Sequence, residues 1–197
     1  MHNNSFDRTL SLLVLHFVPQ PDRAVAEMQR VTRSGGVVAA VVWDAQGGYV
    51  ANRIFFDTAA MLDPRANELR ARNYTRPMTR PGELTAAWRK SDFDDVQAEM
   101  LTIRMEFSSF DNYWNPLVKE GPAVEYVKSL SVDHQHRLRD AIQKAYLDVE
   151  PDGLRSYAAA ICSAVMCCAT VSRFFADSWP PRPPCAAAKL NHICERT

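Results

Sequence analysis

The sequence predicts an α/β fold built on a parallel βαβ crossover, and three features of its first forty residues carry that expectation. Leu10, Leu12, Leu13, Val14 and Leu15 form an apolar run broken only by Ser11. Such a run suits a strand buried on both faces of a parallel sheet, because a half-exposed strand alternates. Pro19 and Pro21 then stop the strand, and Pro21 suits a first helical turn with Gln20 or Asp22 near the cap. Ala24, Val25, Met28 and Val31 share one helical face, while Arg23, Glu27 and Arg30 lie off it. Gly35 and Gly36 are expected to end this helix, and Val37 to Val42 forms the second buried strand.

Further along, Asp44 to Gly48 reads as a loop after that strand. Val50, Ile54, Phe55, Ala59 and Leu62 form a helical face that Asp63-Pro64 ends. Residues 63 to 80 hold five arginines (Arg65, Arg70, Arg72, Arg76 and Arg80) and read as a partly irregular insertion. A proline-opened helix follows with Leu84, Ala87 and Trp88 inward, then a strand from Val96 to Phe107 with one solvated face. Phe107, Phe110, Tyr113 and Trp114 cluster at roughly helical spacing, either as a wall over a substrate pocket or as ordinary core. Ser131 suits the cap of a helix carrying Leu138, Ala141, Ile142 and Ala145, while His134 and His136 point to different faces and read as surface residues. Leu154 to about Val171 supplies a last strand.

Composition narrows the functional classes. The chain has 197 residues, 47% of them hydrophobic, which suits one domain with a substantial core. Lys and Arg total 23 against 23 Asp and Glu, and this balance argues against a nucleic-acid partner and leaves room for a small neutral or zwitterionic ligand. The stretch from Leu10 to Val18 follows Arg8 as a secretory signal would, but Asp7, the internal His16 and the missing small-residue cleavage site speak for a strand. Ser156 to Ser172 is uncharged yet shorter than the ~20 residues of a membrane span, and rich in Ala, Ser and Cys. The chain is therefore expected in the cytoplasm, off the membrane. Cys162, Cys167, Cys168, Cys185 and Cys194 include no C-x-x-C, and Cys185, His192 and Cys194 lack a fourth ligand at metal-site spacing. Reduced thiols and no metal are expected. Residues 173–197, with Pro180 to Pro184, read as a disordered tail to a domain of residues 1–172.

Phe6-Asp7, Leu15-His16-Phe17, Pro21-Asp22, Glu27-Met28, Arg30-Val31 and Gly35-Gly36, in this order, resemble the fourth strand, following helix and fifth strand of class I S-adenosylmethionine-dependent methyltransferases. The branch they are most similar to is the ubiquinone/menaquinone-biosynthesis type. Gln20, Thr32 and Ser34 depart from the family's usual acidic residue, leucine and proline. Val42-Trp43-Asp44 and Arg80 to Leu84 also look like parts of its small-molecule enzymes, so the resemblance covers about residues 5 to 155 and is strongest over 5 to 48.

The resemblance implies a partial Rossmann-like sheet, mostly parallel with an antiparallel C-terminal strand and helices on both faces. It implies S-adenosylmethionine as cofactor, a small-molecule acceptor, and a cofactor edge lined by Leu15, His16 and Phe17. Asp44 and Tyr49 would face the substrate. His16 is the candidate general base, because its ordinary pKa lies near neutrality, or else a lining residue. Asp44 is a second candidate base, or the cap of the next segment. The family's glycine-rich cofactor loop is missing from residues 1–197, which hold seven glycines and no G-x-G-x-x-G. A truncated, impaired methyltransferase is the resulting expectation, with the first strand left as an open apolar edge for self-association. The alternative is a non-catalytic α/β module that binds a protein through that edge.

Overall fold

The computed structural model describes residues 2–91 and 93–167. Strand β1 (Phe6–Leu12) is followed by a short 3-10 helix (Leu15–Phe17), helix α1 (Pro21–Val31) and strand β2 (Thr32–Trp43). Helices α2 (Val50–Leu62), α3 (Ala66–Tyr74) and α4 (Glu83–Lys90) lead to strand β3 (Asp94–Phe107). Helices α5 (Phe110–Lys119), α6 (Val124–Lys128) and α7 (Val132–Leu147) lead to strand β4 (Arg155–Cys167). The expected disordered tail, and the thiols of Cys168, Cys185 and Cys194, lie outside the described residues.

The sheet has the order β1-β2-β4-β3. β1 and β2 are parallel, and β4 is antiparallel to both of its neighbours, so β3 runs in the direction of β1 and β2. The mixed α/β sheet with an antiparallel last strand is thus the one expected. Val38, Ala40 and Val42 of β2 are buried on one face with Val25 and Met28 of α1 and Leu84 and Trp88 of α4. Helices α2, α3, α5, α6 and α7 form a second, aromatic core. Phe107 at the end of β3 and Tyr157 near the start of β4 pack against it, which puts this layer at the carboxyl end of β3.

Three local expectations are corrected. Gly35 and Gly36 do not end α1, which stops at Val31, where Thr32 turns extended and its hydroxyl donates to the Met28 carbonyl at 2.7 Å. The glycines form a bulge instead: the β1–β2 register jumps from Phe6↔Thr32 to Arg8↔Val37. Gly35 has φ of 71°, and a Cβ on Gly36 would stand 2.7 Å from the Asp7 carbonyl oxygen. Secondly, β1 is not buried on both faces, while its place at the edge of the described sheet agrees with the open apolar edge expected. Leu10 and Leu12 are 71% and 69% exposed because no described strand or helix covers their side of the sheet. Directly paired residues share a face, so these leucines lie beside Ala39 and Val41, opposite α1. Thirdly, the insertion at 63 to 80 contains α3. Its apolar period is weak, and tertiary contacts hold it: Asp57 of α2 accepts from Arg70 Nε at 2.5 Å and from the Tyr74 hydroxyl at 3.3 Å.

The aromatic cluster resolves as core. Phe110, Tyr113 and Trp114 are buried, Tyr113 stacks on Tyr146 at 4.7 Å, and its hydroxyl donates to the Ala51 carbonyl at 2.9 Å. Ser131 caps α7 by accepting from the His134 N–H, and His134 and His136 are exposed as expected. Among the described residues no helix is long and apolar enough to cross a membrane.

Candidate functional site

β1 stops at Leu12, because Leu13 adopts φ of 55° while its N–H still reaches the Val41 carbonyl at 2.8 Å. Leu15, His16 and Phe17 therefore sit in the helical turn just after the strand, not at its end. Leu15 anchors this turn in the apolar core with Val38, Val42 and Met78. His16 is carried in behind it and is only 4% exposed, whereas Phe17 remains largely in solvent. No hydrogen-bond partner meets His16 Nδ1. A buried ring nitrogen without a partner is costly and points to a use for it.

Arg76 completes this corner. Its guanidinium lies 4.4 Å from the centre of the Phe17 ring, which itself tilts against His16 at 4.2 Å. Thr79 and Met78, both buried, fix the Arg76 backbone, and the Thr79 hydroxyl donates to the Arg76 carbonyl at 2.7 Å. Burial first, and the Arg76 charge second, lower the His16 pKa from 6.5 to about 4. The imidazole is thus neutral at pH 7 and, in this surrounding, a weak proton acceptor. Sequence reasoning missed Arg76, since nothing in the run of five arginines distinguishes it. Only its fold neighbours do.

Asp44 ends β2 on the adjacent strand. It is buried, and its Oδ1 accepts from the Gly47 N–H at 2.9 Å, closing a turn. The turn docks on β4: Asp44 N–H donates to the Ala160 carbonyl at 3.0 Å, and Ala160 N–H to the Gly48 carbonyl at 2.8 Å. A Cβ at Gly48 would come within 2.3 Å of the Ala160 Cβ, so no other residue fits there. Asp44 therefore organises its own turn and does not cap α2, whose N-cap is Tyr49. Tyr49 stacks on Trp43 at 4.7 Å, and burial pushes its phenol pKa up. Asp44→Ala is expected to cost ~1 kcal/mol by removing the turn acceptor, and Asp44→Asn much less. Urea denaturation midpoints of the two variants check this.

Two cavities lie elsewhere. One of about 240 Å³ sits between α2, α6 and α7 beside Asp63, Tyr126 and Arg137, and an open groove of about 560 Å³ runs past Tyr146 and Tyr157. Neither is lined by His16 or Asp44. Among the described residues no three His, Cys, Asp or Glu side chains converge as a metal site would require.

Residues 1–40, which span β1, α1 and the first part of β2, match the family model of a methyltransferase domain. No curated protein matches the chain in sequence. Its fold is similar to that of a proposed type II methyltransferase of Anaeromyxobacter dehalogenans, at 20% identity and a TM-score of 0.51 over 86% of this chain and 66% of that one. It is also similar to that of a proposed methyltransferase of Bacillus halodurans, at 15% identity and a TM-score of 0.50 over 86% and 73%. A fainter likeness, with a TM-score of 0.42 and 12% identity, extends to the Haemonchus contortus phosphoethanolamine N-methyltransferase 2, solved with S-adenosyl-L-methionine. There 85% of this chain spans about a third of the other, 34%. Residues 1–40 thus resemble a methyltransferase domain, and the fold of the described chain is similar to that of solved methyltransferases.

Proposed function

We propose that residues 1–172 belong to a cytoplasmic methyltransferase domain. It would act in transferring a methyl group from S-adenosylmethionine to a small molecule, with residues 1–197 impaired when alone. The observation behind this reading is the placement of His16 and Asp44. His16 lies in the turn just past β1 and Asp44 just past β2, two neighbouring parallel strands, and open α/β sheets hold ligands beyond the carboxyl ends of such strands. The unpartnered His16 Nδ1 and the exposed Phe17 ring fit the edge of such a cofactor. Bound there, S-adenosylmethionine supplies a methyl group already activated on its sulfonium. Leu15, His16 and Phe17 would line it, and Asp44 and Tyr49 would shape the acceptor side. The chain's main contribution is alignment, with His16 as base where the acceptor needs deprotonation. Impairment follows from the lack of any G-x-G-x-x-G turn in residues 1–197 to let backbone approach the cofactor closely.

A second reading, a non-catalytic module, is favoured by the exposed Leu10 and Leu12 on the β1 edge. The same edge would serve self-association. An NMR titration of the chain with S-adenosylmethionine separates the readings. Millimolar or weaker binding is expected, with amide shifts concentrated at residues 13 to 17 and 44 to 49. Micromolar affinity would overturn the impairment. Absence of shifts at those residues would overturn the methyltransferase reading and leave the module.

A further inference from the structure

Arg76 is an unusual arginine. It is half-buried, yet among the described residues no carboxylate pairs with it. Arg70 and Arg65 from the same segment are each matched to an aspartate, Asp57 and Asp63. The charge that bears on Arg76 is another cation, Arg72, and both burial and that charge work against its protonated form. A guanidinium taken partly out of water without a counter-ion is unfavourable, and proteins keep such an arrangement where a ligand supplies the missing charge. The guanidinium carbon lies 4.4 Å from the Phe17 ring centre, and a guanidinium fork suits a planar or tetrahedral oxyanion. Beside it, His16 is buried, and its Nδ1 meets no protein group.

We infer that Arg76, Phe17 and His16 form an oxyanion subsite that takes a carboxylate or phosphate group of the bound small molecule. This rests on the methyltransferase reading for the ligand's wider identity, but the subsite itself stands on the uncompensated guanidinium. The anion comes either from the acceptor or from the cofactor's own carboxylate. In both cases its negative charge would offset Arg76 and make protonation of His16 easier, so ligand binding would bring His16 closer to service as a base. Arg76, from the loop after α3, is the charge that bears on the ring, and Arg72 in turn bears on Arg76. The side chains packed with the neighbouring Leu15 are apolar, among them Val38, Val42 and Met78.

The probe is inorganic phosphate, titrated into the isotope-labelled chain at pH 7 and constant chloride, with the Arg76 Nε–H and His16 ring resonances followed by NMR. Phosphate is expected to shift both saturably and to raise the His16 midpoint by about 0.5 pH unit or more. Arg76→Gln should raise the midpoint by itself and abolish the phosphate response, while Arg76→Lys should keep a weaker one. S-adenosylhomocysteine and 5′-methylthioadenosine, of which only the first carries the amino-acid chain with its carboxylate, identify the source. A response through Arg76 to the first but not the second assigns the anion to the cofactor. A response to phosphate alone assigns it to the acceptor. A phosphate response that persists in Arg76→Gln, or no response to any of these anions, overturns the subsite. Because phosphate is read without cofactor or turnover, such a failure is distinct from failure of the methyltransferase reading.

Discussion

Replacing Trp88 by alanine is expected to destabilise the protein by ~3–5 kcal/mol, a large share of the ~5–15 kcal/mol that holds a domain of this size together. Trp88 is fully buried where α4 meets α1 and β2, and its ring lies 6.0 Å from that of Phe93. The alanine variant loses the transferred area and leaves a cavity in the core that Leu15 shares with Val38 and Val42. Phenylalanine behaves differently. Trp88 Nε1 is buried without a hydrogen-bond partner, and an unmet donor costs roughly 1–3 kcal/mol. Trp88→Phe forfeits part of the packing but removes that unmet N–H. The two changes nearly cancel, and the variant is expected within ~1 kcal/mol of the parent. Urea unfolding followed by circular dichroism measures both. Equal losses for phenylalanine and alanine would show that the indole N–H is satisfied after all.

Acidification produces the second large effect. The folded His16 titrates at about 4, below the 6.5 of an unfolded histidine, so between these values protons bind preferentially to the unfolded chain. His16 therefore contributes full stability above about pH 6.5, and that contribution is lost as the pH falls toward 4. The whole span is worth on the order of 3 kcal/mol, since each unit of displacement corresponds to ~1.4 kcal/mol. Thermal or urea unfolding measured from pH 7 to 4 should show this decline in the parent, and a shallower one in His16→Gln, which carries no titrating ring. Parallel profiles for the two proteins would mean that His16 is protonated in the folded state with no penalty.

Much of the framework is legible in the residues. The order of strand, proline stop, amphipathic helix and second strand follows from Leu10 to Val42, and α1 begins at Pro21 as the side-chain pattern requires. The helix carrying Phe55 and Ala59, the one carrying Leu84 and Trp88, and the Ser131 cap are equally readable, because each bears a local signal of period or capping. The strand facing was misread. An unbroken apolar run states that a segment is sticky on both faces, but not whether anything covers them, and in the fold Leu10 and Leu12 face solvent. The glycine pair was misread for a related reason: helix cap and strand bulge both need a residue without Cβ, and only the approach of the Asp7 carbonyl to Gly36 decides between them.

At the site, the chemistry of His16 and Asp44 as residue types was visible in the sequence, and so was their position after two strands. Their environments were not. Asp44 is committed to Gly47 by a bond three residues away, and His16 is held neutral by burial and by Arg76, sixty residues downstream. The residues by themselves determined the α/β class, the β1–α1–β2 unit and the resemblance of residues 1–40 to a methyltransferase domain, because these rest on local periodicity and on motif order. The tertiary structure alone decided which apolar face stays open, which half-buried arginine lacks a carboxylate and which histidine loses its water. Burial and charge pairing are properties of residues distant in the chain, and folding brings them together.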